Sequence, residues 1–167
     1  EIYKTGINRA SLGLQTSDDE IIKSLNRSSS FKDFLKAVYE LKASGIKNIS
    51  ADLMLSLPGN TEEQELKDAK MLSELGINHI SAYSLIVHEN TPIYEEIKNK
   101  KLILPSEENE RKSYHDLSKY LAELGYERYE ISNFAKPGFE SRHNKKYWNL
   151  EEYLAFGIGA AAFIESE

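Results

Sequence analysis

The sequence predicts an α/β fold of parallel strands, and three features of the chain support this prediction. Strand-like runs alternate with segments whose apolar residues recur at helical spacing. A glycine separates a helix-like segment from the next strand-like run three times, at Gly6, Gly45 and Gly76. Residues 46–57 are largely apolar, as in a strand covered on both faces. Three such units are too few for a closed eight-stranded barrel, so they fit the second half of a barrel or of an open, doubly wound sheet.

The individual elements follow from periodicity and from the residues that start and stop them. Strands are predicted at residues 7–14, 46–57, 77–87 and 126–132. Helices are predicted at residues 18–26, 31–43, 62–75, 92–99 and 107–124. Ser17, with Glu20 three residues later, predicts a capping box for the first helix. Residues 133–149 have little periodicity and are predicted to form a loop.

The change of rhythm after the third strand predicts two regions. We expect residues 1–104 to form part of a barrel and residues 105–167 to form a following region packed on it. The first strand would lie at an open edge of the sheet, through which the protein could dimerise. The chain begins with a pattern typical of a helix end, so we expect it to be a segment of a longer protein.

Composition excludes several classes of function. The net charge of −6 argues against general binding of nucleic acids or anionic membranes. The absence of cysteine excludes a disulfide, a zinc–thiolate site or an iron–sulfur cluster held by these residues. The apolar run at residues 154–164 is too short to span a bilayer, so membrane contact is not supported. No signal-peptide pattern is present, and we expect a cytoplasmic protein.

Two polar residues in predicted strands form the first candidate site. Gln15 lies late in its strand and Asp52 lies within a buried run, where an unpartnered carboxylate costs on the order of several kcal/mol. Neighbouring parallel strands can bring both into one ligand-binding mouth, where Arg27 could bind a ligand carboxylate. Structural alternatives stay open: Asp52 could cap a loop or lie at the strand edge, Gln15 could bond a loop, and Arg27 could stabilise a helix C-terminus.

The basic segment at residues 142–148 is the second candidate site, and it contains the only tryptophan of the chain. The imidazole of His143 can ligate iron. Tyr147 and Trp148, with cations beside them, suit a planar ligand that carries carboxylates, such as a porphyrin. The alternative is a solvated loop whose two aromatic side chains fold onto the core.

Several stretches together resemble the oxygen-independent coproporphyrinogen III oxidase-like family, whose members are radical S-adenosylmethionine (SAM) proteins. These stretches are NRASLGLQ at 8–15, NR at 26–27, DLMLSLPG at 52–59, SAYSL at 81–85 and YEISNFA at 129–135. In addition, HNKKYW at 143–148 is similar to the HNxxYW signature of the heme-chaperone branch. The resemblance covers essentially the whole chain. It implies the second half of an incomplete (β/α)6 barrel of the radical SAM type, followed by a helix and strand extension.

The resemblance also implies roles for single residues. Gln15, Arg27 and Asp52 match SAM contacts; we assign Arg27 to the SAM carboxylate and the other two to its ribose and methionine groups. Ile86 matches a position whose main chain approaches the adenine, and Ala161 is expected to line the same region.

In the second candidate site, His143 matches the heme-binding residue of the chaperone branch, as an axial ligand of the heme iron beside Tyr147 and Trp148. The family's three-cysteine loop for a [4Fe–4S] cluster is not among these residues, so this segment alone should be inactive.

Three functions are therefore compatible with the sequence. The first is a heme chaperone that binds SAM and heme and passes heme to an accepting protein. The second is a SAM-dependent oxidase that decarboxylates coproporphyrinogen III to protoporphyrinogen IX, which should not need the HNxxYW segment. The third is a non-catalytic domain that binds another nucleotide.

Overall fold

The structure is a computed structural model that describes residues 2–164. Its strands are β1 (Arg9–Gln15), β2 (Asn48–Leu55), β3 (His79–Ser84), β4 (Glu127–Arg128) and β5 (Asn133–Ala135). Its α-helices are α1 (Asp19–Ser24), α2 (Phe31–Ala43), α3 (Glu62–Glu74), α4 (Pro92–Lys98), α5 (Glu107–Glu123) and α6 (Arg142–Trp148). A short 3-10 helix, Ile2–Thr5, precedes β1.

The strands form one open sheet of order β1-β2-β3-β5-β4. β1, β2 and β3 are parallel neighbours, as the repeated helix–glycine–strand rhythm predicted. β5 pairs antiparallel with β3, and β4 pairs antiparallel with β5. β1 therefore lies at one edge of the described sheet, where the sequence analysis expected an open strand.

The two faces of the sheet differ in chemistry because the register aligns residues of one kind across the strands. On one face Ala51 lies between Leu12 and Ile80, and this apolar face packs against helices α2, α3 and α5. Side chains from all three helices are fully buried there: Val38, Leu72, Leu117 and Leu121. On the other face Asp52 lies between Gly13 and Ser81, so this face is polar. In a closed barrel such a face would point inward.

The first predicted helix begins differently from the expectation. Asp18, not Ser17, is the N-cap, because its carboxylate accepts hydrogen bonds from the backbone N–H groups of Glu20 and Ile21. Ser17 instead donates its backbone N–H and its hydroxyl to the two carboxylate oxygens of Asp68 on α3. The predicted capping box was therefore wrong, since a tertiary partner takes the serine away from the helix end.

The largest correction concerns the predicted loop at residues 133–149. This stretch contains β5 and the helix α6, while the strand predicted at 126–132 is only the two-residue β4. β5 is held by its pairing with β3, and α6 begins where the hydroxyl of Ser141 accepts the backbone N–H of Asn144. α6 buries none of its residues, so it has no apolar stripe to predict it. In the described part of the chain, no helix combines the length and the apolar character that a membrane span needs.

The buried hydroxyl of Tyr126 joins the end of α5 to the start of β3, and a substitution can test this contact. Tyr126 is 1% exposed, and its hydroxyl donates to the carbonyl oxygen of Ile77 at 2.6 Å. In the intact protein, Tyr126→Phe should lower the free energy of unfolding by about 1–3 kcal/mol, because the carbonyl loses its donor. Tyr39→Phe, at a side chain that is 60% exposed, is the control and should change it by less than about 0.5 kcal/mol. Equal losses in denaturant unfolding would contradict this role.

Candidate functional site

The first candidate site lies on the polar face of the sheet, around the half-buried carboxylate of Asp52 on β2. The hydroxyl of Ser11 on β1 donates to its Oδ1 atom at 3.3 Å, and the hydroxyl of Ser81 on β3 is a second hydrogen-bond partner. Arg9 and Arg27 contribute positive charge nearby. Asp52 therefore caps no loop; its carboxylate is held between two strands and close to two guanidinium groups.

Burial raises the pKa of Asp52 above its ordinary value of 3.8. The hydrogen bonds from Ser81 and Ser11 and the charges of Arg9 and Arg27 act in the opposite direction without cancelling the effect of burial. The ionised carboxylate is therefore incompletely compensated by the protein, and a cationic or hydroxyl-bearing ligand would stabilise it.

Gln15 ends β1 in an unusual backbone conformation, with a φ angle of 71° and a register shift between Gly13 and Gln15. A non-glycine residue in this region costs about 1–3 kcal/mol, and such residues cluster at functional sites. The Gln15 side chain is 3% exposed and hydrogen-bonds the Tyr83 hydroxyl, yet its Oε1 atom is buried without a partner. An unpaired buried acceptor of this kind is suited to a ligand donor.

Gly13 has no side chain, so other side chains of the site can lie close to it. A Cβ atom at this position would lie 2.8 Å from Nε2 of Gln15 and 3.9 Å from an Nη atom of Arg27. Arg27 itself is exposed, in the connection between α1 and α2. The structure thus brings together Gln15, Arg27 and Asp52, three residues that lie far apart in the sequence.

The other two residues predicted to bind SAM lie outside the helices and strands. Ile86 is 74% exposed and follows β3 at the same edge of the sheet as Gln15. Ala161 is exposed, in the irregular segment after α6, where Tyr153 and Phe163 form an isolated bridge. Their contacts with a ligand stay predictions.

Tyr83 belongs to the site but was not singled out from the sequence. Burial raises the pKa of its hydroxyl, and the charge of Asp52 raises it further, so the two side chains lie close together. The available signal was the two-residue period of β3, which puts Ser81 and Tyr83 on one face. It could not be used without the register that aligns Ser81 with Asp52.

The second candidate site lies on α6 and is a helix rather than the predicted loop. His143 and Tyr147 are four residues apart, and the Tyr147 hydroxyl is 2.8 Å from Nε2 of His143. The ring of Tyr153 lies 6.1 Å from that of His143 and 4.4 Å from that of Tyr147, measured between centroids. His143 and Tyr153 line a cavity of about 550 Å³, whose wall also includes the apolar Leu154 and Ile164 and the charged Lys146 and Glu152.

Trp148 faces elsewhere. It lines a separate cavity with Tyr114, Tyr129 and Ile131, among others. The structure therefore places Tyr147 beside His143, whereas Trp148, which was predicted to join them, lines the other cavity.

A chain of hydrogen bonds joins α6 to the polar face of the sheet. The hydroxyl of Ser50 lies 2.7 Å from Nδ1 of His79, and Nε2 of His79 lies 2.7 Å from the Tyr129 hydroxyl. That hydroxyl in turn accepts a bond from the side-chain amide of Asn144 on α6 at 3.3 Å. Burial lowers the pKa of His79 to about 4, so the imidazole is neutral at physiological pH. His79 therefore positions α6 instead of acting as a charge.

No group of three or more His, Cys, Asp or Glu side chains that could hold a metal ion is found among residues 2–164. With no cysteine in the chain, these residues do not fit an iron–sulfur cluster. His143 can offer a single nitrogen to an iron that brings its other ligands with it, as heme does.

Comparisons with known proteins agree with the fold. The family model of the radical SAM superfamily matches residues 1–72, which include Gln15, Arg27 and Asp52. The heme chaperone HemW of Lactococcus lactis subsp. lactis (strain IL1403) is 38% identical over 160 residues, which are 96% of this chain and 42% of that protein. The heme chaperone HemW of Bacillus subtilis (strain 168) is 38% identical over 163 residues, which are 98% of this chain and 43% of that protein.

Two solved structures share the fold. Coproporphyrinogen III oxidase (HemN) from Escherichia coli matches 98% of this chain and 40% of its own, with a TM-score of 0.74 at 19% identity. Archaeal Elp3 from Methanocaldococcus infernus matches 70% of this chain and 28% of its own, with a TM-score of 0.63 at 29% identity. The open sheet is thus part of a radical SAM fold.

The chain belongs to the radical SAM superfamily, and within it to the group of HemW-like proteins. It spans less than half the length of the relatives named above. The family implies SAM and a [4Fe–4S] cluster as cofactors. The unpaired Oε1 of Gln15 and the incompletely compensated Asp52 fit SAM, whereas the cluster has no ligands here.

The raised pKa of Asp52 gives a testable dependence of stability on pH. Because folding disfavours the ionised form, wild-type stability decreases relative to Asp52→Asn as the pH rises above 3.8. In the intact, ligand-free protein, Asp52→Asn should therefore be the more stable at about pH 7, and the difference should shrink as the pH falls toward 3.8.

Asp33→Asn is the control of opposite sign. Hydrogen bonds from Ser30 hold the pKa of the Asp33 carboxyl below 3.8, so this substitution should lower stability at neutral pH. Melting temperatures measured over this pH range would contradict the account if the two substitutions shifted stability in the same direction.

Proposed function

We propose that the intact protein is a radical SAM heme chaperone, which binds SAM on the polar face of the sheet and heme beside α6. The observation that carries the SAM assignment is the convergence of Gln15, Arg27 and Asp52 around the space left by Gly13. The HemW relatives, whose names state the chaperone function, support the same proposal for heme.

SAM is a complementary ligand for this group of side chains. It carries an ammonium and a sulfonium, a carboxylate and two ribose hydroxyls. The guanidinium of Arg27 can bind the carboxylate in a bidentate manner. The Asp52 carboxylate and Oε1 of Gln15 are acceptors for the hydroxyl or ammonium groups, which would stabilise the ionised Asp52 and satisfy the unpaired amide oxygen. Beside a [4Fe–4S] cluster supplied from outside these residues, bound SAM provides radical chemistry.

Heme is the cargo in this proposal. The imidazole of His143 lines a cavity whose wall includes the apolar side chains of Tyr153, Leu154 and Ile164, together with Lys146 and Glu152. Ligation through Nε2 requires the Tyr147 hydroxyl, now 2.8 Å away, to move aside. An accepting protein would then take the heme from this exposed helix. We place the activity in the cytoplasm and retain dimerisation through the β1 edge as a further proposal.

The second candidate function is that of an oxygen-independent coproporphyrinogen III oxidase. The TM-score of 0.74 with HemN favours a shared fold, but at 19% identity it supports no more than that. The cavity at His143 favours the chaperone, because a decarboxylase of a metal-free porphyrinogen has no iron for an imidazole to ligate. Conversion of coproporphyrinogen III by the reconstituted protein would support the oxidase instead.

The SAM site can be tested by calorimetry on the intact protein with its cluster reconstituted. Asp52→Ala should weaken SAM binding about tenfold or more, because a charge-assisted hydrogen bond contributes about 1.5–3 kcal/mol. Gly13→Ala should also weaken SAM binding. The new Cβ would lie 2.8 Å from Nε2 of Gln15 and would displace this amide. Asp116→Ala, on the exposed side of α5, is the control and should leave the affinity unchanged. An unchanged affinity in Asp52→Ala would remove this residue from the site.

The heme site can be tested by absorption spectroscopy of heme added to the intact protein. His143→Ala should abolish the shift of the Soret band that accompanies imidazole ligation. His88→Ala removes an exposed histidine beyond β3 and should leave the shift intact. A shift that survives in His143→Ala, or is lost equally in both variants, would argue against His143 as the ligand.

A further inference from the structure

A second cavity adjoins His143, near the start of β1 and of β2. It has a volume of about 620 Å³, and its wall includes three cationic side chains. Arg9 comes from the start of β1, Lys47 from the residue before β2, and Arg142 from the first turn of α6. His143 lines this cavity as well as the cavity with Tyr153, Leu154 and Ile164 described above.

Apart from the attraction between Arg9 and Asp52, the positive charge of this cavity is not compensated by neighbouring acids. None of the ion pairs found among the described residues uses Arg9, Lys47 or Arg142. The one carboxylate in the wall, Glu140, is already engaged by Lys145 at 3.6 Å. Three cations gathered in a chain whose net charge is −6 repel one another, and an anionic ligand would relieve that repulsion.

Arg9 adds a second, independent observation. Its Nε atom is buried and has no hydrogen-bond partner. This atom can only donate, so its missing partner is an acceptor. A buried donor left unpaired costs about 1–3 kcal/mol, more when it is charged. The oxygen of a carboxylate would supply both the missing acceptor and the opposite charge for this guanidinium.

We propose that Arg9, Lys47 and Arg142 bind the propionate carboxylates of the heme whose iron is ligated by His143. This inference rests on the proposed function. Heme is amphipathic: its two carboxylates lie at one edge of an otherwise apolar ring. Of the two cavities that share His143, one contains the apolar side chains of Tyr153, Leu154 and Ile164 besides Lys146 and Glu152, and the other contains the three cations. A ring bound at the imidazole can therefore place its apolar edge in one cavity and its carboxylates in the other.

The carboxylate subsite is tested by comparing heme with heme dimethyl ester in titrations of the intact protein. Lys47 and Arg142 are both exposed, so Lys47→Gln and Arg142→Gln should fold normally. Each substitution should raise the Kd for heme about tenfold, because it removes one charge-assisted hydrogen bond. The Soret position should not change, since His143 still ligates the iron. The diester, which lacks the carboxylates, should bind wild type and variants with equal affinity.

Two matched variants control for a general loss of positive charge. Lys36→Gln on α2 and Arg111→Gln on α5 remove exposed cations remote from the cavity and should leave both affinities unchanged. Heme binding that is equal in wild type, Lys47→Gln and Arg142→Gln overturns the inference, and so does an equal loss of affinity for the diester. Wild-type protein that shows no Soret shift at all overturns the proposed function, and the inference with it.

Discussion

The carboxylate of Asp52 is the constraint on which the rest of the structure depends. It lies in the middle strand of three parallel strands, and the apolar face of that strand is sealed by three helices. Its own face must therefore be polar, and the chain supplies hydroxyls from both neighbouring strands and guanidinium groups from β1 and from the connection after α1. Even so, burial keeps its pKa raised. Groups that lower stability are typical of functional sites, so the raised pKa supports the proposal that Asp52 binds a ligand.

The two candidate sites are parts of one structure because His79 joins them. Its imidazole bonds Ser50 on the polar face and, through the Tyr129 hydroxyl, the amide of Asn144 on α6. α6 buries none of its own residues, so these polar contacts, the Ser141 cap and the ring contacts with Tyr153 determine where His143 lies. The position of α6, the helix proposed to bind heme, is thus tied to the sheet that carries the residues proposed to bind SAM.

Long-range pairing explains which elements could be predicted from the sequence and which could not. The helix at 31–43 was predicted at its observed bounds, because a serine cap, an apolar stripe and a terminal glycine all act locally. β4 and β5 have two and three residues, and they form because β5 pairs with β3 and β4 pairs with β5, which local patterns cannot show. The same limit applies to the site.

Gln15, Arg27 and Asp52 were grouped from their places in the predicted elements, and the family resemblance gave them SAM as ligand, whereas Tyr83 needed the register of β3. The cationic cavity needed the fold itself, since its residues come from the starts of two strands and of α6. We predicted that Trp148 lies with His143 because both belong to one short motif. On the seven-residue helix α6, however, Trp148 lines a different cavity.

The central claim, that one polar face gathers separate segments around SAM, is tested most directly by hydrogen–deuterium exchange. Backbone amides of the intact protein would be compared with and without SAM. The account predicts slower exchange in the two exposed connections at the carboxyl edge of the sheet, residues 25–30 and 85–90, which flank Arg27 and follow β3. Protection confined to the opposite edge, or unchanged exchange in both connections at saturating SAM, would contradict it.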